Sequence, residues 1–160
     1  MDYLWSPWRY QYIKEGTGSN GCVFCDIAAS SEDEANYVVH RGTSNFVVLN
    51  RYPYTSGHAM VVPYGHLATL EEAPAEAAEE MMRLTQRVEG ALRQLYGAGG
   101  VNIGMNVGEA AGAGVAGHIH MHVLPRWLAD SNFITVVGET RVLPEDLAET
   151  WRRLRAEFAE

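Results

Sequence analysis

The ten residues His118–Trp127, HIHMHVLPRW, decide how this chain is read. Histidine recurs at 118, 120 and 122, and Ile119, Met121 and Val123 fill the places between. A period of two is the pattern of a β-strand, whose successive side chains point to opposite faces. The strand therefore carries His118, His120 and His122 toward a cleft, and Ile119, Met121 and Val123 toward a core. Pro125 has no N–H for a central ladder and predicts the strand's end. At a rise of about 3.3 Å per residue, adjacent histidines stand about 7 Å apart and the outer two about 13 Å. A zinc–nitrogen bond is only about 2 Å long. Two neighbouring imidazoles can then share a metal ion, three cannot, and at least one is left for other chemistry. A merely solvated face rarely repeats one titratable residue three times.

Outward from this strand, the pattern gives an α+β domain. YVVH (37–40), FVVLNR (46–51) and HAMVVPY (58–64) read as strands separated by the turns RGTSN and PYTSG. Pro74 suits the first turn of a helix, where a missing N–H does no harm. That helix runs to Tyr96, before Gly97, with Met81, Leu84, Val88, Leu92 and Leu95 on one face. NIGMNVG (102–108) reads as a fourth strand, the histidine stretch as a fifth and FITVV (133–137) as a short sixth. A closing helix from Pro144 aligns Leu147, Trp151, Leu154 and Phe158. Short connections favour antiparallel pairing. The expected architecture is an antiparallel meander sheet with one long helix packed on it and a C-terminal helix.

The whole chain of 160 residues suits a single domain, 1–160, with residues 1–20 as an N-terminal arm and EGTGSNG (15–21) as a connector. Its formal charge of −8 and pI near 5.2 argue against non-specific nucleic-acid binding and against a basic membrane-surface role. No stretch reaches the roughly 20 apolar residues of a membrane span, and the start does not read as a signal peptide. The two cysteines, Cys22 and Cys25, form a C-x-x-C. A secreted disulfide scaffold carries more, so the chain reads as cytoplasmic.

C-x-x-C is either a redox pair or half of a metal site. A redox pair is expected beside a βαβ pattern, which is missing here. A structural zinc takes four ligands, so two histidines must complete it, drawn from His66 and one of the strand trio. Asn50 and Asn106 stand in apolar strands, where asparagine is disfavoured and needs partners when buried; a ribose, a phosphate or a neighbouring loop would serve. An unprotonated imidazole is a nucleophile near neutral pH. Toward a phosphoryl group it forms a phosphoramidate, with charge stabilised by nearby donors. His122, His58, Asn106 and the small-residue run 112–117, which includes Gly112, Gly114 and Val115, would provide them. Arg126, just past the strand, would either help to seat a second anion or pair with a surface carboxylate.

These residues resemble the histidine triad (HIT) nucleotide hydrolases and transferases. HIHMHVLPR matches the family signature, and the resemblance runs through CVFC, FVVLNRYPYTSGHAMVVPYGH and NIGMNVGEAAGAGVAGH. PRWLADSNFITVVGETRVLPEDL, with LWSPWR, looks most like the diadenosine tetraphosphate phosphorylase branch. The resemblance implies an enzyme that cleaves dinucleoside polyphosphates, with His120 as the nucleophile that takes up a nucleotidyl group. Hydrolysis of a phosphoramidate or another small nucleotide, or nucleotide binding with little turnover, are the alternatives. It further implies His122 and His58 on the phosphates, Asn50 on the ribose, a structural zinc on Cys22, Cys25, His66 and His118, and a homodimer. Many members carry Gln-Ser just upstream of the triad; Gly114-Val115 stands there in this chain.

Overall fold

The computed structural model describes residues 21–137 and 143–159. The expected N-terminal arm, residues 1–20, lies outside them. Five strands form one antiparallel sheet: β1 (Val38–Arg41), β2 (Asn45–Leu49), β3 (Ala59–Pro63), β4 (Gly100–Gly104) and β5 (Met121–Arg126). Their order is β1-β2-β3-β5-β4. The first three make the expected meander. The long helix then carries the chain to the far edge, and β5 returns between β3 and β4.

Residue parity sorts the core. Val39, Val47, Leu49, Val61, Ile119 and Val123 fall on one face, where they pack with Met81, Leu84, Val88 and Leu92. Those four belong to α2 (Ala75–Tyr96), which follows a short first helix, α1 (Val23–Ala29). Val38, Phe46, Val48, Met60 and Val62 turn to the opposite face and pack with Phe24 and Ile27 of α1. With both faces covered, every residue of β2 and β3 is buried. The expected separation of histidines from Ile119 and Val123 holds, although the ladder begins only at Met121. The chain enters β5 in extended form, with Ile119 N–H donating to Leu67 O at 2.8 Å.

Three elements differ from the sequence expectation. Val23–Ala29 is helical, and a seven-residue helix shows too few turns for its period to stand out. The fourth strand ends at Gly104, so Asn106 lies beyond it. FITVV, despite its β-branched residues, forms the single turn α3 (Phe133–Val136). Asn132 Oδ1 accepts from Ile134 N–H at 2.9 Å and holds that turn. The last helix, α4 (Leu147–Glu157), starts after its N-cap Asp146, whose side chain accepts from Glu149 N–H. It docks on β1 through Trp151 Nε1–H to Val38 O at 2.9 Å.

Candidate functional site

Four of the histidines converge on the α1 side of the sheet, and each has its tautomer set by a fixed partner. His120 Nδ1 lies 2.8 Å from His118 O, a carbonyl that can only accept. The proton is therefore on Nδ1, and Nε2 keeps its lone pair. His58 Nδ1 accepts the Tyr54 N–H at 3.1 Å. Its proton is then on Nε2, which donates to His122 Nδ1 at 2.8 Å. His122 in turn carries its proton on Nε2. His120 and His122 thus stand with rings 4.9 Å apart, one an electron-pair donor and the other an N–H donor.

Burial disfavours a charge on His58 and on His120. His58 is 1% exposed, and His120 and His122 are 5% and 9% exposed. Burial, then the neighbouring His122 and His120, pushes the His58 imidazole down to about 3. Burial also lowers His120, against the pull of the His118 carbonyl. Gly57 makes room for His58 to reach this position. Its φ is +81°, and a Cβ there would meet Leu92 Cδ2 at 2.9 Å.

His120 and His122 line a cavity of about 570 Å³. Its walls include Phe24 and Ile27 of α1 and Val48 and Met60 of the sheet, which form an apolar slot. Asn50, Asn106, Gly112, Gly114 and Val115 also line it, so the structure brings these proposed contacts together. Asn50 Oδ1 accepts the Tyr52 N–H at 2.9 Å. His58 is not on the wall; it sits behind His122. Arg126 is elsewhere too, held by Asp130 at 2.5 and 2.6 Å and by Asn102, so its role is the carboxylate pairing. The slot residues Phe24 and Ile27 escaped the sequence reading, although their spacing of three beside C-x-x-C was the available signal.

A cluster that could hold a metal ion lies next door. Cys22, Cys25, His66 and His118 offer ligand atoms within 4.8 Å of one another. His118 Nε2–H donates to Pro63 O at 2.9 Å, which turns the lone pair of Nδ1 to Cys22 Sγ at 3.3 Å and Cys25 Sγ at 3.7 Å. His66 Nδ1 lies 3.3 Å from Cys25 Sγ. Tetrahedral zinc with sulfur and nitrogen bonds of about 2.3 and 2.0 Å separates such ligands by about 3.5 Å. The donor set and its spacing fit a tetrahedral metal ion, and the Pro63 contact supplies the outer hydrogen bond that metal-binding histidines use. Burial, then the adjacent Cys22 thiol, raises the Cys25 thiol.

The HIT domain family matches residues 31–127 of the chain. AP-4-A phosphorylase of Mycobacterium tuberculosis (strain ATCC 25618 / H37Rv) is 39% identical over 99% of this chain and 85% of its own length. Protein hit of Bacillus subtilis (strain 168) is 30% identical, over 81% and 88% respectively. Among solved structures, a ZN-bound histidine triad family protein from Mycobacterium smegmatis matches with a TM-score of 0.71 and 34% identity, covering 89% of this chain and 96% of that one. No helix among the described residues is long and apolar enough to cross a membrane.

Proposed function

The chain belongs to the HIT domain family, and from that premise we propose that it is a nucleotidyl transferase cleaving adenine dinucleoside polyphosphates through a nucleotidyl-His120 intermediate. The observation that carries this reading is the tautomer of His120. Its Nδ1 proton is held by the His118 carbonyl, which leaves Nε2 as the nucleophile on the cavity wall. Attack by Nε2 on the α-phosphorus of diadenosine tetraphosphate breaks the bond to the bridging oxygen. ATP leaves, and the His118 carbonyl stabilises the positive charge on the imidazole.

His122 Nε2–H supports the charge on the transferring phosphoryl group, and His58 fixes the ring that carries it. Asn106 and the backbone of 112–115 add donors on the same wall. The Gln-Ser of many family members is replaced by Gly114-Val115. A polyphosphate leaving group is a weak base and needs little proton donation, which fits that loss. Cys22, Cys25, His66 and His118 would hold a zinc ion, which when bound supplies a structural cross-link between the start of α1 and the approach to β5. We also infer a homodimer; among the described residues β4 pairs only with β5, and Ile103 on that edge is exposed.

The M. tuberculosis relative's name, AP-4-A phosphorylase, supports inorganic phosphate as the acceptor. Phosphate would discharge the intermediate as ADP, whereas water would discharge it as AMP. Diadenosine tetraphosphate with phosphate should therefore yield ATP and ADP by chromatography, with turnover rising as phosphate is added. His120→Asn should keep nucleotide binding and lose far more than the ~10²–10⁴-fold typical of acid–base help alone. Near-normal turnover of that variant removes the covalent route. AMP as the lasting product at high phosphate removes the phosphorylase and leaves a hydrolase.

A further inference from the structure

The cavity has a polar end whose hydrogen-bonding capacity is already partly spent. Ser30, the C-cap of α1, and Asn36 both line it. Ser30 Oγ accepts twice, from Glu32 N–H at 3.1 Å and from Asn36 Nδ2 at 3.1 Å. A hydroxyl has two lone pairs and one hydrogen. With both lone pairs engaged, Ser30 can only donate. Asn36 Nδ2 also donates to Glu32 O at 3.0 Å. That carbonyl cannot donate, so it fixes which end of the amide is nitrogen. Both Nδ2 hydrogens are then used, and Asn36 Oδ1 is left as an acceptor. The two side chains present one fixed donor and one fixed acceptor.

The place of Ser30 at the end of α1, with Asn36 bonded to it, says what the pair meets. The Phe24 ring lies 4.9 Å from the His120 ring. Ser30 is six residues further on, about 9 Å at 1.5 Å per residue. Between them lies the apolar slot of Ile27, Val48 and Met60. Given the proposed nucleotide site, on which this step rests, a phosphorus at His120 sends the base along that slot with its far edge at Ser30 and Asn36. We infer that Ser30 and Asn36 are specificity-determining residues that select a 6-aminopurine. The Ser30 hydroxyl donates to the ring nitrogen N1 of adenine, and Asn36 Oδ1 accepts from its 6-amino group. Hypoxanthine has the same shape with the pattern reversed. Its N1–H would face a hydroxyl with no lone pair left, and its O6 would face a carbonyl oxygen.

Calorimetric titration with AMP and with IMP tests this without needing turnover. The unaltered protein should bind AMP at least about tenfold more tightly than IMP, the combined effect of two hydrogen bonds of ordinary net strength. Ser30→Ala should bring the ratio toward one, chiefly by weakening AMP. Asn36→Leu, which removes the acceptor, should do the same, with melting curves confirming that each variant is folded. Equal binding of AMP and IMP by the unaltered protein overturns the base-edge inference alone. A ratio left intact in both folded variants overturns it too. Binding of neither nucleotide overturns the nucleotide site and this inference with it.

Discussion

Acid should destabilise this protein partly through His58, and the size of that effect follows from its surroundings. In the unfolded chain a histidine titrates near 6.5; in the fold His58 is held at about 3. The folded value is the lower one, so protonation favours the unfolded chain. Stability is fully present above about pH 6.5, falls as pH drops below it, and the loss levels off near 3. Each pH unit in that window costs about 1.4 kcal/mol. Between pH 7.0 and 4.5 the loss from His58 alone is therefore about 2–3 kcal/mol. The cause is specific. Both ring nitrogens are engaged, Nδ1 by Tyr54 N–H and Nε2–H by His122. A second proton would have to displace the Tyr54 contact and put a charge beside two other imidazoles. His58→Gln removes the titration while keeping an amide that can donate to His122. Urea unfolding of both proteins at pH 7.0 and 4.5 gives two differences. Titration at His40 and His118 is common to both and cancels in the comparison. The unaltered protein should lose about 2–3 kcal/mol more than His58→Gln. Equal losses would refute the claim that His58 is buried as a neutral ring.

Two further outcomes follow from the framework around the histidines. Purified protein should carry about one zinc ion per chain by elemental analysis. Cys22→Ala should lose it together with much of its thermal stability, since structural zinc contributes about 10 kcal/mol or more of apparent binding energy; a metal-free protein that melts unchanged would rule the site out. Gly57→Ala should cost about 1–3 kcal/mol, because it places a Cβ at positive φ and 2.9 Å from Leu92 Cδ2. That corresponds to several degrees in Tm, and an unchanged melting curve would count against the close approach there.

The parts of the fold that are legible in the sequence are those that repeat a period for long enough. Alternation from His118 to Val123 assigns the two faces, because Ile119 and Val123 must enter the core that α2 covers. The spacing of Met81, Leu84, Val88 and Leu92 marks the helix that covers it. α1 is less visible for a physical reason: seven residues span two turns, and two of its apolar positions, Phe24 and Ile27, sit beside the C-x-x-C cysteines that draw the reading toward chemistry. The order of β4 and β5 is set by which strand edge the histidine stretch pairs with, and that is a non-local choice. FITVV failed as a strand because the Asn132 cap outweighs the β preference of its branched residues. In the site, side-chain identity was legible and hydrogen-bond direction was not. Nothing in the string reveals that His58 stands behind His122, or that Ser30 has only a hydrogen to offer.

The spacing of the triad acquires a further meaning from the structure. In an extended chain the carbonyl of one residue can reach a side chain two positions on, along the same face. His118 and His120 use this at 2.8 Å, so the main chain of one histidine fixes the tautomer of the next. The side chain of His118 meanwhile belongs to the candidate metal cluster, and its Nε2–H is tied to Pro63 at the end of β3. Phe24, between the two cysteines, contacts the rings of both His118 and His120, at 5.4 and 4.9 Å. One extended stretch thus joins the cluster to the proposed nucleophile through a single peptide carbonyl. That link needs His118 and His120 to be two apart, because a spacing of one or three would turn the second ring to the core side with Ile119. In the proposed mechanism each histidine of the alternation has a separate task, and the period of the strand is what lets neighbouring tasks share a face.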